Sequence, residues 1–355
     1  MSSVDATGSF DASSPVDARK RVDAIAAFLA RNGLGGARRT PLAGDASARR
    51  YERVEKPGGG TVILVDTPAP ADDLVPFIVI GETLRRLGLS APEILAAEVE
   101  AGLAIQEDFG DDTLSRLLGA GEDPHALYAL ATDALIALHR DFPPAEATRL
   151  GLPRYDAPLF TEQVALLAEV YVPAATGKSP SDAALADFAA AWGRVVPAAC
   201  DGPQSLLLRD YHVDNVMRLP RPGVRAAGLI DFQNAGLGPV AYDLVSLLED
   251  ARRDVPADLA EAMVARYLAA FPGLDAAAFR RSYAVLGAVR HTRIVAVFVR
   301  LALQQGKRAY LTHLPRVWRL LEAQLAKPEL APLAEWFARH LPPGTRADFV
   351  VPEPD

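Results

Sequence analysis

The stretch Leu206–Asp231, LLLRDYHVDNVMRLPRPGVRAAGLID, decides how the rest of the chain reads. Two apolar runs, Leu206–Leu208 and Ala226–Ile230, have the length and composition of short strands that end near carboxylates. Between them, R-D-Y-H-V-D-N sets Asp210 five residues before Asn215, and Asp231 closes the second run. A carboxylate, an amide oxygen and a second carboxylate in this order are the groups that phosphoryl transfer from Mg-ATP uses. One carboxylate orients or deprotonates an acceptor hydroxyl, and the other two groups hold Mg²⁺ against the phosphates. Hard oxygen donors suit Mg²⁺, and two from the protein suffice because nucleotide and water complete its octahedron. Each piece alone is common: an Asp after a strand is usually a turn or cap residue. Together and in this order they are expected to place Asp210 at the acceptor hydroxyl, with Asn215 and Asp231 as candidate metal ligands.

Composition narrows the partners. The 355 residues, half of them hydrophobic, suit a soluble protein of one large or two modest lobes. One cysteine, Cys200, excludes an intramolecular disulfide framework and favours a reducing, cytoplasmic setting. The net charge of −8 and the absence of a basic tract make nucleic acid and anionic membrane poor partners. No charged and apolar leader and no membrane-length apolar run are present, and a monomer is expected. An acidic protein that handles phosphates must gather positive charge locally. With only Lys20, Lys56, Lys178, Lys307 and Lys327 available, that work falls largely to arginine.

Along the chain, residues 1–15 are small and polar and read as a disordered tail. Asp17–Arg31 carries Val22, Ile25, Ala26, Phe28 and Leu29 on one helical stripe. Strands follow: Arg49–Val54 leads out of a small-residue turn at Ala43–Ala48, Gly58–Gly60 make a hairpin turn, and Thr61–Asp66 is β-branched. Small residues in such a hairpin let backbone amides approach phosphates, though an ordinary β-hairpin has the same pattern. Leu74–Leu87 reads as a helix and Leu103–Ile105 as a strand. Long helical patterns dominate beyond Asp111, at Pro124–Arg140, Pro158–Val172, Ser181–Ala199, Ala241–Ala251, Asp275–Gln305 and Leu314–Ala326. Asp243 in the Ala241 helix is expected to brace the loop around Asp210.

The D-x4-N pair and the following I-D-F resemble the catalytic and metal motifs of protein kinases, with Leu208 and Gln233 departing from that pattern. With Gly238-Pro239 and Tyr242-Asp243-Leu244 following, the chain resembles the aminoglycoside-phosphotransferase-like small-molecule kinases more closely. G-D-A-S-x-R-R-Y-x-R-V at Gly44–Val54, L-x-D-T-P at Leu64–Pro68 and R-H-T-R-I-V-A-V-F-V-R-L from Arg290 are similar to a subgroup of these. That subgroup comprises the anomeric N-acetylmuramate/N-acetylglucosamine kinases of peptidoglycan recycling, which make the sugar 1-phosphate. The resemblance covers roughly residues 20–325. It implies an α+β, two-lobed protein-kinase-like fold with a small β-rich N-lobe and a larger, mainly helical C-lobe. The corresponding division is 1–15 tail, 16–108 N-lobe with a nucleotide-covering hairpin, 109–342 C-lobe with catalytic loop and sugar site, and 343–355 tail.

The resemblance implies ATP and Mg²⁺ as cofactors, an amino sugar as acceptor, and further site residues. Q-E-D-F-G-D-D-T-L at Gln106–Leu114 stands where such kinases hold adenine, which assigns Gln106, Glu107 and Asp108 to nucleotide; a helix capped by Asp112 or Thr113 also fits. Ser47 belongs to the hairpin turn. Thr61–Asp66 lacks the lysine that most kinases place there, so Arg49 or Arg50 is expected to reach the phosphates. Taking buried Val54 to mark the nucleotide side makes Arg50 the first choice. Glu82 either pairs with that arginine or is a solvated helix residue. His212 and Asp214 lie on the catalytic loop within reach of sugar hydroxyls, or brace it. Arg290, His291 and Arg293 interrupt an apolar helix, and an arginine pair at i, i+3 suits a lactyl carboxylate, or a solvated face. A different small acceptor, such as an aminoglycoside, and a catalytically dead binding module are the other functions considered; the presence of Asp210, Asn215 and Asp231 speaks against the second.

Overall fold

The computed structural model describes residues 15–42, 49–67 and 74–347. They fall into two compact units, one running to Ile78 with Pro92–Gly110, the other comprising Val79–Ala91 and the chain from Asp111 onward. Ser47 lies outside the described residues.

The first unit is a five-stranded antiparallel sheet with one covering helix. Strands β1 (Arg39–Pro41), β2 (Arg50–Glu55), β3 (Thr61–Asp66), β4 (Ile94–Glu98) and β5 (Leu103–Glu107) lie in the order β1-β2-β3-β5-β4. The β2–β3 turn needs left-handed backbone, and Gly58, Gly59 and Gly60 supply it with φ of 89°, 103° and 78°. The register Val54↔Val62 follows, which puts Val54, Val62, Leu64, Leu103 and Ile105 on one face. That face packs against Ile25, Phe28 and Leu29 of the helix Pro15–Arg31. Val22, expected on the same stripe, is 55% exposed: the sheet covers a narrower arc of the helix than the sequence suggested. Arg21 closes the edge of this layer, its guanidinium donating to the buried Asp66 carboxylate at 2.5 and 2.9 Å.

The second unit is mainly helical and is built around the 30-residue helix Ala276–Gln305. Asp275 caps it, accepting from the amides of Ala277 and Ala278, and left-handed Gly306 ends it. Neighbours surround most of its circumference, so its burial is nearly continuous from Ala284 to Val289. A Cβ on Gly287 would meet the Gln324 side chain of the helix Leu314–Leu325 at 3.1 Å, a close helix–helix approach. The expected helix Pro158–Val172 is interrupted. Ala157–Leu166 runs into a widened π-type turn at Leu167–Tyr171 before Pro173, which has no N–H to donate to the ladder.

Four short strands position the catalytic stretch: β6 (Gln204–Leu207), β7 (Val216–Arg218), β8 (Ala227–Leu229) and β9 (Gly236–Pro239). β6 pairs with β9 and β7 with β8, both antiparallel. β9, of sequence GLGP, has no strand pattern; its conformation is imposed by pairing with β6. Its glycines answer a steric demand, because a Cβ on Gly236 would lie 2.5 Å from the Pro153 carbonyl oxygen and one on Gly238 2.6 Å from Leu207. No helix among the described residues is long and apolar enough to cross a membrane.

Gly236→Ala should therefore destabilise the protein by about 1–3 kcal/mol, the usual cost of overpacking a tight site. Gly193→Ala, in the helix Asp182–Cys200 with no heavy atom within 4 Å of the added carbon, should stabilise it by about 0.5–1 kcal/mol. Thermal melts of the two variants read the contrast. A Gly236→Ala midpoint equal to the parent's would contradict the close packing of β9.

Candidate active site

The loop after β6 is held from below by one carboxylate. Asp243, in the first turn of the helix Ala241–Leu248, is 1% exposed and accepts from the backbone N–H of Leu208 at 2.6 Å and of Arg209 at 2.9 Å. Asp243 thus braces the loop, as its sequence position suggested. Burial pushes its carboxyl up to about 7, against the opposing pull of these two amides and of Arg290. Two successive amides reach one carboxylate here with Arg209 in the left-handed region, φ 75°. Among the described residues only one other non-glycine residue has positive φ, Asp231 at 59°. Each such residue costs about 1–3 kcal/mol, so both outliers fall where geometry outweighs local stability.

The β7–β8 register brings the metal-type groups together. Asn215 directly precedes β7 and Asp231 lies two residues beyond β8, so Val216↔Leu229 pairing sets them side by side. The Ile230 N–H donates to the Asn215 carbonyl at 3.1 Å. The Asn215 Nδ2 donates to the Asp210 carbonyl at 2.9 Å and to Asp231 Oδ2 at 3.4 Å, which leaves Oδ1 as the acceptor of that side chain. Asp231 Oδ1 accepts from Gln233 Nε2 at 2.9 Å. An amide oxygen beside a carboxylate is a hard donor set that fits Mg²⁺.

The Asp210 side chain, 32% exposed, faces arginines. Burial pushes its carboxyl up, but Arg293, Arg290, Arg209 and His212 outweigh this and hold it below the usual carboxylate range. Arg290, 4% exposed, donates through Nη1 to the Arg209 carbonyl at 3.2 Å and lies 4.0 Å from Asp210 Oδ1. Arg290 and Arg209 also lie over the rings of Tyr242 and Tyr155.

Other predicted positions separate. His291, between the two arginines on the helix, is fully buried and binds Glu249 at 2.6 Å, so the structure does not bring it to Asp210. The helical period explains this, since adjacent residues point about 100° apart. His212 Nδ1 lies 3.5 Å from Asp214, and its Nε2 is 3.4 Å from Asn215 Nδ2. The His212 hydrogen bond, against the push of burial, holds the Asp214 carboxyl far below its usual range. The buried Asp250 carboxylate completes a cluster with these two, and Arg252 lies 3.6 Å from Asp214.

In the first unit, the two candidate arginines lie on opposite sides of the sheet. The core that buries Val54 lies under the helix Pro15–Arg31, and on that face Arg50 pairs with Asp66 at 2.9 Å with its side chain 62% exposed. Arg49 takes the other side, 4% exposed, against the Phe77 ring and donating to the Tyr51 hydroxyl. Gln106 is buried in β5 opposite Ile63, and the Glu107 N–H donates to the Glu93 carbonyl. The Asp108 carboxylate is taken up by Arg53, Thr61 and the Gly110 amide, which together overcome burial and lower its pKa. In the second unit, Glu82 is exposed and has no partner among the described residues. Thr113 caps the helix Leu114–Gly119, accepting from the Arg116 amide.

Sequence reasoning missed Arg209, Tyr155 and Tyr242. The signal for Arg209 was the cation directly before Asp210 in R-D-Y-H. Tyr242 stood in the Tyr242-Asp243-Leu244 motif without a site role attached to it, and Tyr155, distant in sequence, carried no signal.

The chain belongs to the phosphotransferase enzyme family, whose model matches residues 38–280, and the protein is a phosphotransferase of the kinase class. It is 38% identical to an N-acetylmuramate/N-acetylglucosamine kinase of Caulobacter vibrioides, over 92% of this chain and 98% of that one. An N-acetylmuramate/N-acetylglucosamine kinase of Pseudomonas aeruginosa is 33% identical over 86% of this chain and 89% of its own. Among solved structures, a choline/ethanolamine kinase family protein from Mesorhizobium loti matches with a TM-score of 0.59 at 18% identity. The match covers 89% of this chain and 98% of that one, a likeness of fold.

Asp243→Asn leaves one acceptor oxygen for two N–H groups. The orphaned amide should cost about 1–3 kcal/mol of stability, and turnover should fall as the loop loses its anchor. Denaturant titration and steady-state rates measure both. Parent-like values in both would remove Asp243 from the support of the loop.

Proposed function

We propose that the protein transfers the γ-phosphoryl group of ATP to the anomeric hydroxyl of N-acetylmuramate or N-acetylglucosamine, making the sugar 1-phosphate for reuse of cell-wall amino sugars. The observation that carries this is the Asp210 carboxylate, held below its usual range by the arginines around it, on the loop whose last residue, Asn215, lies beside Asp231, in a chain whose relatives are named for these two sugars. Asp210 accepts the hydrogen bond of the acceptor hydroxyl and aligns its oxygen. A hemiacetal hydroxyl is more acidic than an ordinary alcohol, so positioning is the larger task and a carboxylate of lowered pKa suffices.

Asn215 Oδ1 and the Asp231 carboxylate would hold Mg²⁺, which when bound supplies charge neutralisation for the phosphoryl oxygens. Gln233 and Asn215 fix the orientation of Asp231. On the nucleotide, Arg49 is the better candidate for the phosphates, because Arg50 is engaged by Asp66. Asp108 acts through its backbone, its carboxylate being committed to Arg53 and Thr61. Gln106 and Glu107 contribute the backbone beside it. Asp214 and His212 brace the loop behind Asn215.

The test is ³¹P NMR of the product formed from purified protein, Mg-ATP and each sugar. An anomeric phosphate, recognised by its coupling to H1, is the expected product. A 6-phosphate, or turnover only with an aminoglycoside, would overturn the assignment.

A further inference from the structure

Two carboxylates stand behind the catalytic loop, at the two ends of one helix. Asp243, in the first turn of the helix Ala241–Leu248, holds the amides at the start of the loop. Asp250 lies just past the end of the same helix and is 2% exposed. Its Oδ1 accepts from the Arg252 N–H at 2.8 Å, while Oδ2 is buried without a hydrogen-bond partner. His212 Nδ1 is likewise buried and unpartnered, with Asp214 Oδ2 at 3.5 Å. An oxygen of each of Asp214 and Asp250 and a His212 ring nitrogen lie within 4.8 Å of one another. Folded proteins leave few buried polar groups unpaired, so a buried carboxylate beside a buried imidazole calls for a reason. Arg252 already brings positive charge to 3.6 Å from Asp214, which disfavours a bound cation as that reason.

The other side of the His212 ring supplies one. Asn215 Nδ2 faces three groups: the Asp210 carbonyl oxygen at 2.9 Å, Asp231 Oδ2 at 3.4 Å and His212 Nε2 at 3.4 Å. A carbonyl oxygen and an ionised carboxylate only accept, so the amide nitrogen of Asn215 belongs on this side. An N–H on His212 Nε2 would oppose the N–H bonds of that amide, whereas a lone pair there accepts from it. In a neutral imidazole this places the proton on Nδ1, the nitrogen on the Asp214 side. We propose that Asp250 is a positioning residue for the metal site: with Asp214 it keeps the His212 N–H on Nδ1, so that Nε2 receives the Asn215 amide and Asn215 turns Oδ1 to Mg²⁺. This role rests on the metal-ligand function proposed above for Asn215, and Asp250 acts through His212 without touching the metal. A proton moved to Nε2 would favour the flipped amide, which presents N–H bonds to a cation. Outer partners that orient a ligand in this way tune the metal site as strongly as many ligands do.

¹⁵N NMR of histidine-labelled protein at neutral pH reads the ring directly, with the His212 signals assigned by their loss in His212 variants. The parent should show a protonated Nδ1 and a bare Nε2, and Asp250→Asn should shift the proton towards Nε2. Calorimetry reads the consequence. Asp250→Asn should weaken binding of Mg-ATP by about tenfold or more, the usual cost of losing an outer partner of a metal ligand, with affinity for metal-free ATP unchanged. His212→Gln, whose side-chain oxygen can stand in for Nε2, should keep more Mg-ATP affinity than His212→Leu. A proton on Nε2 in the parent would overturn the proposal without recourse to Asp250→Asn. So would equal losses of Mg-ATP and metal-free ATP in Asp250→Asn, the mark of a merely structural residue, or no loss of either. A parent that meets these expectations but phosphorylates neither sugar would overturn the function proposed above and leave the role of Asp250 standing.

Discussion

The site depends on one buried carboxylate that holds two consecutive backbone amides. Asp243 draws the N–H groups of Leu208 and Arg209 together, and the chain complies by placing Arg209 in left-handed backbone. That turn sends the Arg209 carbonyl to Arg290 and Ser246 and leaves Asp210 at the head of the loop. Asn215 then ties back to the Asp210 carbonyl, which links the two ends of the loop. Strain of about 1–3 kcal/mol at each of Arg209 and Asp231 is offset by this network, because every bond in it would be lost if the turn relaxed.

Around this frame the protein resolves an electrostatic conflict. Its net charge is −8, yet a phosphotransferase must attract anions. The solution is segregation: three arginines gather at Asp210, while the first unit neutralises its own acids locally, Asp66 by Arg21 and Arg50 and Asp108 by Arg53. Charges held in partly buried positions are screened less than surface pairs, so a local surplus persists in an acidic molecule.

The candidate site was legible in the sequence where its residues also shape the local structure. D-x4-N followed by I-D singled out Asp210, Asn215 and Asp231 as candidates, and pairing of β7 with β8 sets the last two side by side. Helices with strong periodicity, such as Ala276–Gln305, were equally plain. What escaped was set by tertiary contact. β9 is a strand only because β6 pairs with it, and the π-type turn before Pro173 breaks an otherwise continuous pattern. Parity told Arg49 from Arg50 correctly, but not which face of the sheet the helix Pro15–Arg31 would cover. A motif also suggested His291, which the fold buries against Glu249, whereas Arg209 stood beside Asp210 in R-D-Y-H without being given a role.

The most direct measurement is the pair of properties of Asp210→Asn: steady-state turnover, and affinity for Mg-ATP by calorimetry. If Asp210 orients the acceptor hydroxyl while Asn215 and Asp231 serve the metal, kcat should fall by about 10²–10⁴-fold with the parent's affinity for Mg-ATP retained. Turnover comparable to the parent's, or loss of nucleotide binding in step with activity, would contradict this division of labour.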